Sequence, residues 1–370
     1  MSCPMPRSLA FGRLLLAAAL SSLPLAGFAN APASPASTST PADDGSVTVP
    51  SFRVPFSSYA SPEARRQFAI MRAQSLQAPP LTQAVSGDVG PSRAYYAAIN
   101  QARVRRMRTI YPVRIHAARI AGVPVQIVEP AQGVVAAQRQ RVLINLHGGA
   151  FLWGAQAGGL VESIPVASVG RVRVIAVDYR QGPEHRFPAA SDDVEAVYRA
   201  LLKTHAARNI GIYGCSSGGI LTGEVVARLI VDKLPVPSAI GIFCAGLTRF
   251  GGDSAFVAPV LDGDPPVSAA PDLLQLPYFK GARADDPLVF PGLSPVLLAK
   301  FPPTLMISGS RDFSFSAELK AQQLLTAAGV ETELHLWDGM WHAFFADPDL
   351  PESRQAYAVM AKFFATHLGR

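Results

Sequence analysis

Ser216 lies in Gly214-Cys215-Ser216-Ser217-Gly218-Gly219, directly after the apolar run 209–213 and just before a helical pattern. G-x-S-x-G between a strand and a helix is the setting of a nucleophile elbow. The serine there stands on a tight, strained turn that lifts its hydroxyl above the sheet edge. Residues two before and two after it pack too closely for a side chain, so glycine is required at both places. Ser217 fails that test, because Cys215 would be its upstream glycine.

A serine nucleophile needs a histidine to take its proton and a carboxylate to orient the histidine. Of the seven histidines, His116 falls in an expected hairpin, His205 and His367 near helix ends, and His335 inside a strand. His147 and His185 belong to loop motifs. His342 follows Asp338-Gly339-Met340-Trp341 in an expected loop between the last strand and the last helix, where the chain order Ser, Asp, His puts the base. The carboxylate belongs at the end of the preceding strand. There the run 304–308 leads into Gly309-Ser310-Arg311-Asp312, which selects Asp312. Asp338 stands too near His342 along the chain and reads as a solvated turn residue. Asp285 and Asp286 fit no strand end.

The tetrahedral intermediate of acyl transfer also needs fixed N–H donors for its oxyanion. The strand ending at Leu146 runs into His147-Gly148-Gly149-Ala150-Phe151. Gly148 and Gly149 are the expected donors, joined by Ser217, the residue after the nucleophile. His147 is expected to order this loop by hydrogen bonding rather than to transfer protons. There is no H-E-x-x-H, no Cys/His cluster and no phosphate-binding Gly-Lys-Ser/Thr loop, so no metal site is expected.

The elements that must position these residues alternate. Runs 141–146, 172–177, 209–213, 239–244, 304–308 and 333–337 read as strands, after a hairpin over 113–118 and 123–129. Helical patterns fall near 158–169, 188–203, 218–234, 314–329 and 351–367. Short apolar runs separated by helices predict a mostly parallel sheet covered on both faces, an α/β class. Residues 61–75 and 93–108 read as helices placed to lie over the active site. Residues 247–300, rich in Pro, Gly and Asp, read as an excursion over it as well.

The chain has 370 residues, 49% of them apolar, enough for one large core. Arg7 and Arg13 precede the apolar run 14–20, and Gly27-Phe28-Ala29 offers a small-residue cleavage site. Residues 1–29 therefore read as an export leader, too short in its apolar part for a membrane span, with a periplasmic or secreted destination. Loss of Arg7 and Arg13, with no acid, takes the net charge from +6 to +4. Residues 30–50, which open on an Ala/Pro/Ser/Thr tract, read as a flexible linker, 51–110 as an N-terminal helical region and 111–370 as the catalytic domain. The arginine cluster from Arg103 to Arg119 reads as a solvated helix face plus a strand edge, not as a nucleic-acid site. Cys215 and Cys244 remain after leader removal and are expected to stay unpaired.

Taken together, His147-Gly148-Gly149, Asp178-Tyr179-Arg180 with Pro183-Glu184-His185 and Phe187-Pro188-Ala189-Ala190, Gly214–Gly219, Asp312 and His342 resemble the hormone-sensitive-lipase-like (family IV) bacterial esterases, over residues 110–370. The resemblance implies an α/β-hydrolase fold with an eight-stranded sheet, a cap made by the N-terminal helices, no cofactor, and short or medium acyl esters as substrates. The chain departs from the family at Cys215 (usually Asp), Ser217 (usually Ala), Ala150 (usually Gly) and Phe313-Ser314 (usually Pro-Leu). These departures surround the expected substrate pocket, for which Phe151, Trp153, Phe313 and Trp341 are candidates, each equally able to be plain core. The same triad would serve an amidase, a peptidase or a lactone hydrolase, and a hydrolase scaffold can also act purely in binding.

Overall fold

The computed structural model describes residues 42–370 except 50 and 52. The expected leader, 1–29, and most of the expected linker lie outside the described residues. Val54–Arg370 forms a single compact unit, so the N-terminal helices belong to the same body as the catalytic domain. No helix among the described residues is long and apolar enough to cross a membrane.

Three helices come first: α1 (Pro62–Ser75), the short α2 (Leu81–Val85) and α3 (Gly90–Ile110). Ser61 caps α1 by accepting the Ala64 N–H at 3.0 Å. Its own N–H and hydroxyl donate to the Glu352 carboxylate, which ties α1 to the C-terminal helix. The hairpin β1 (Val113–Ile120) and β2 (Val123–Pro130) follows, turning at Ala121 and Gly122.

The remaining elements alternate as the periodicity predicts. They are β3 (Val142–Leu146), α4 (Ala157–Gly170), β4 (Arg173–Val177), α5 (Ala189–Leu201), β5 (Ile210–Cys215), α6 (Ser217–Val231) and β6 (Ala239–Phe243). After them come α7 (Ser254–Leu261), α8 (Pro295–Leu298), β7 (Thr304–Arg311), α9 (Phe315–Ala327), β8 (Thr332–Trp341) and α10 (Pro351–His367).

The eight strands form one sheet in the order β1-β2-β4-β3-β5-β6-β7-β8, antiparallel through β1, β2 and β4 and parallel from β4 to β8. Strands β3, β5 and β6 are buried along their whole length, as parallel strands covered on both faces must be. Two apolar clusters form the core. One gathers Ile144, Ile212, Leu221 and Ile240, the other Leu143, Tyr213, Phe243 and Phe364. The excursion over 247–300 is not structureless: it contains α7, α8 and three short 3-10 turns.

Candidate active site

Leu146 on β3 pairs with Gly214 on β5, so both strands end level and their loops leave side by side. The β5 loop is the elbow. Ser216 holds φ at +57°, the strained left-handed region, and its N–H is pinned to the Phe243 carbonyl of β6 at 2.8 Å. The flanking glycines are required, but the obstruction is β3 rather than the serine. A Cβ on Gly214 or Gly218 would stand 2.2 or 1.7 Å from the Leu146 carbonyl oxygen.

The loop after β3 is clamped from the next crossover. The Tyr179 hydroxyl donates to the His147 carbonyl at 2.6 Å, and Gln181 Nε2 donates to the Trp153 carbonyl at 2.7 Å. His147 is buried, stacks on Tyr179 and bonds through Nδ1 to the Gly148 carbonyl. Burial lowers its pKa. It orders the loop, as its position in the motif suggests.

Of the three expected oxyanion donors, the structure redirects one. The Gly148 N–H donates at 2.9 Å to the carboxylate of Glu162 on α4, so it is already engaged. The Gly149 N–H has no acceptor among the described residues. Ser217, as the first residue of α6, carries an N–H that the helix leaves without an internal partner. Glu162 had no motif to reveal it. Its carboxylate also accepts from Asn145 Nδ2 and, at 3.3 Å, from the Cys215 N–H. Burial, opposed by these hydrogen bonds, raises its pKa to about 7.

The acid and base meet through a strand irregularity. Gly309 on β7 pairs with Trp337 on β8, but Arg311 pairs with Trp341, so two residues of β7 advance against four of β8. The bulge brings the next residues, Asp312 and His342, abreast. Asp338 sits inside β8 at this bulge rather than in a turn beyond it. Its carboxylate accepts from Ser57 and Ser310, which makes it a brace for the bulge. A Cβ on Gly309 would lie 2.1 Å from the Met340 carbonyl.

His342 Nδ1 and Asp312 Oδ1 are 2.8 Å apart, and Asp312 is wholly buried. The same oxygen accepts from the Ser314 N–H and hydroxyl. Burial alone would raise the Asp312 pKa, but the attraction of His342 and these hydrogen bonds outweigh it and hold it below the usual range. Burial alone would likewise lower His342, yet Asp312 raises it above the ordinary histidine value. No hydrogen bond joins His342 to Ser216 in this structure. Such contacts often tighten only when substrate is bound.

A cavity of about 260 Å³ reaches His342 and is lined by α1, α3, Asp262 and Trp341. The four candidate pocket residues divide. Trp341 lines this cavity and Phe313 packs on the His342 ring at 4.6 Å. Trp153 stacks on Tyr96 and lines a neighbouring cavity that holds no triad residue. Phe151 is a correction: it is fully buried, with its ring stacked on Tyr278 at 4.7 Å and edge-on to Phe279, so it is core. Arg103 is a second correction. Arg105, Arg106 and Arg108 on its helix face solvent, whereas Arg103 lines the His342 cavity.

The α/β-hydrolase fold family profile matches residues 143–346. The chain is 29% identical over 259 residues to the putative acetyl-hydrolase LipR of Mycobacterium tuberculosis, spanning 69% of this chain and 81% of that one. It is 28% identical over 254 residues to an esterase of Acinetobacter venetianus, spanning 68% and 82%. Among solved structures, esterase E25 superposes with a TM-score of 0.71 at 29% identity, covering 87% of this chain and 99% of its own. A bacterial hormone-sensitive-lipase-family esterase, 24% identical with a TM-score of 0.71, covers 84% of this chain and 99% of its own and shares the fold. The chain belongs to the α/β-hydrolase fold family, in its hormone-sensitive-lipase-like esterase branch.

Proposed function

We propose that the protein hydrolyses short- to medium-chain carboxylic esters through an acyl-enzyme on Ser216. The observation that carries this reading is the buried Asp312–His342 hydrogen bond, set beside the strained serine elbow by the β8 bulge. His342 takes the hydroxyl proton as Ser216 Oγ attacks the ester carbonyl carbon. The oxyanion is received by the Gly149 and Ser217 N–H groups. His342 then gives its proton to the leaving alcohol as the C–O bond breaks. Water, deprotonated by His342, attacks the acyl-enzyme and releases the acid, restoring Ser216. Asp312 holds the imidazole in the tautomer whose Nε2 can accept, and offsets the imidazolium charge.

Helices α1 and α3 act as the cap, because their residues close the cavity over His342. The Arg7 and Arg13 leader pattern supports export, which the mass of the mature protein from its own host would test.

The deciding measurement is turnover of p-nitrophenyl acetate, butyrate, octanoate and palmitate beside a Ser216→Ala variant. Turnover concentrated on the shorter esters and abolished by the variant is the expected result. A folded wild-type protein that cleaves none of these esters overturns the reading, and retention of activity in the variant removes Ser216 from it.

A further inference from the structure

Arg103 is an unusual lining for a cavity that must accept an ester. Its guanidinium makes one protein hydrogen bond, to Asn100 Oδ1 at 3.3 Å, and forms no ion pair among the described residues. Five N–H donors are thus served by a single long contact. On the same helices Arg72 is matched to Asp264, Arg93 to Glu184 and Arg106 to Asp349, whereas Arg65, Arg105 and Arg108 form no ion pair but are exposed to solvent. Asp347 attracts Arg103 from beyond ion-pair distance, and its own carboxylate is engaged by the Asp349 N–H at 2.9 Å. Arg103 is half-buried, and its remaining donors open onto the cavity, where an anion can meet them.

The position is specific. Arg103 shares its cavity with His342 and with Tyr95, Tyr96 and Gln74. A substrate part lodged beside His342 in this cavity therefore shares it with the guanidinium. Asp262 lines the same cavity. Burial raises its carboxyl to about 7, so it is mainly a neutral acid below that pH and a second charge in the cavity above it.

We propose that Arg103 is a specificity-determining residue, and that the cavity takes esters carrying a carboxylate on their acyl or alcohol part. This rests on the esterase reading above and names its substrate class. The planar guanidinium fork matches a carboxylate through two parallel hydrogen bonds, which a neutral chain end cannot use.

Two matched pairs test it. Mono-p-nitrophenyl adipate against p-nitrophenyl hexanoate places the acid on the acyl side. 4-Acetoxybenzoate against its methyl ester places it on the alcohol side. The expected result is a higher kcat/KM for the anionic member of one pair, and the pair that shows it identifies the side. In Arg103→Gln, the ratio of anionic to neutral kcat/KM should fall on the order of ten- to a hundred-fold. Arg103→Lys should recover part of that ratio.

No anionic preference in either pair, or a ratio unmoved by Arg103→Gln, overturns the proposal. Calorimetric binding of adipate to Ser216→Ala, with and without Arg103→Gln, keeps the two readings separate, because it needs no turnover. Adipate binding that weakens ten-fold or more on loss of Arg103 supports the anion site even if no ester is cleaved. Absent or equal binding counts against the site even if neutral esters are.

Discussion

The Glu162 carboxylate accepts the Gly148 N–H at 2.9 Å. Its second oxygen takes the Asn145 amide and the Cys215 N–H. One side chain on α4 thereby links the glycine loop after β3 to Cys215, the residue preceding Ser216. Glutamine at 162 keeps the shape but offers one acceptor atom instead of two and turns an N–H2 toward N–H donors. Glu162→Gln should lower kcat about ten-fold, the worth of one or two charge-assisted hydrogen bonds, while KM changes little. Steady-state kinetics on p-nitrophenyl butyrate checks this. A rise in KM at constant kcat would place the effect on substrate binding instead.

The Asp312–His342 pair fixes the sign of the pH dependence. His342 acts as a base only when neutral, and Asp312 raises its pKa above the ordinary histidine value. The acid limb of kcat/KM should therefore fall through a midpoint above about 6.5, the value for free histidine. Asp312→Asn removes the charge that raises it, so the limb should move to lower pH. It also leaves the imidazole without its orienting acceptor, and kcat should fall by roughly 10⁴. Rate profiles of the wild type and the variant over the same buffers decide both points.

Cys215 and Cys244 are free and buried side by side in the core beneath the elbow. Cys244 Sγ accepts the Ala343 N–H at 3.3 Å, next to His342, and burial pushes the Cys215 thiol up to about 11. The thiolate is the reactive form, so both residues should resist iodoacetamide in the folded protein and react once it is denatured. Peptide mass mapping reads each site separately. Protection that persists in denaturant until a reductant is added would mean that the two are bonded.

Most of the site was legible because its signals are local. The elbow is carried by six consecutive residues, Gly214–Gly219, and the oxyanion loop by five, His147–Phe151, each next to an apolar strand. The alternation of those strands with helices was equally plain. What escaped depends on side-chain direction across long sequence separations. Glu162 lies in a helix with no motif, and its role appears only when α4 packs under two strand ends. Arg103 reads like its arginine neighbours until α3 is rotated against the cavity. Phe151 sits in the catalytic loop, yet the loop's left-handed backbone, with φ near +58°, accompanies a ring turned into the core. The β8 bulge was missed because a strand with inserted residues resembles a strand followed by a loop.

Glu318 tests the electrostatics behind the triad. It is fully buried on α9 near Asp312, and neither carboxyl oxygen has a hydrogen-bond partner. Burial, reinforced by the charge of Asp312, raises its pKa well above the usual glutamate value. The folded protein then holds a proton that the unfolded chain releases once pH passes about 4.3. Between those two pKa values stability falls with rising pH, by about 1.4 kcal/mol per pH unit for this one group. Glu318→Gln removes the ionisation but keeps the volume. The buried amide sets a constant offset of either sign, so the slope is the informative quantity. The stability of the variant relative to wild type should improve steadily from pH 5 to 8 in paired urea titrations. A difference that does not change with pH would mean that Glu318 is ionised in the folded protein, and that a compensating charge lies beside it.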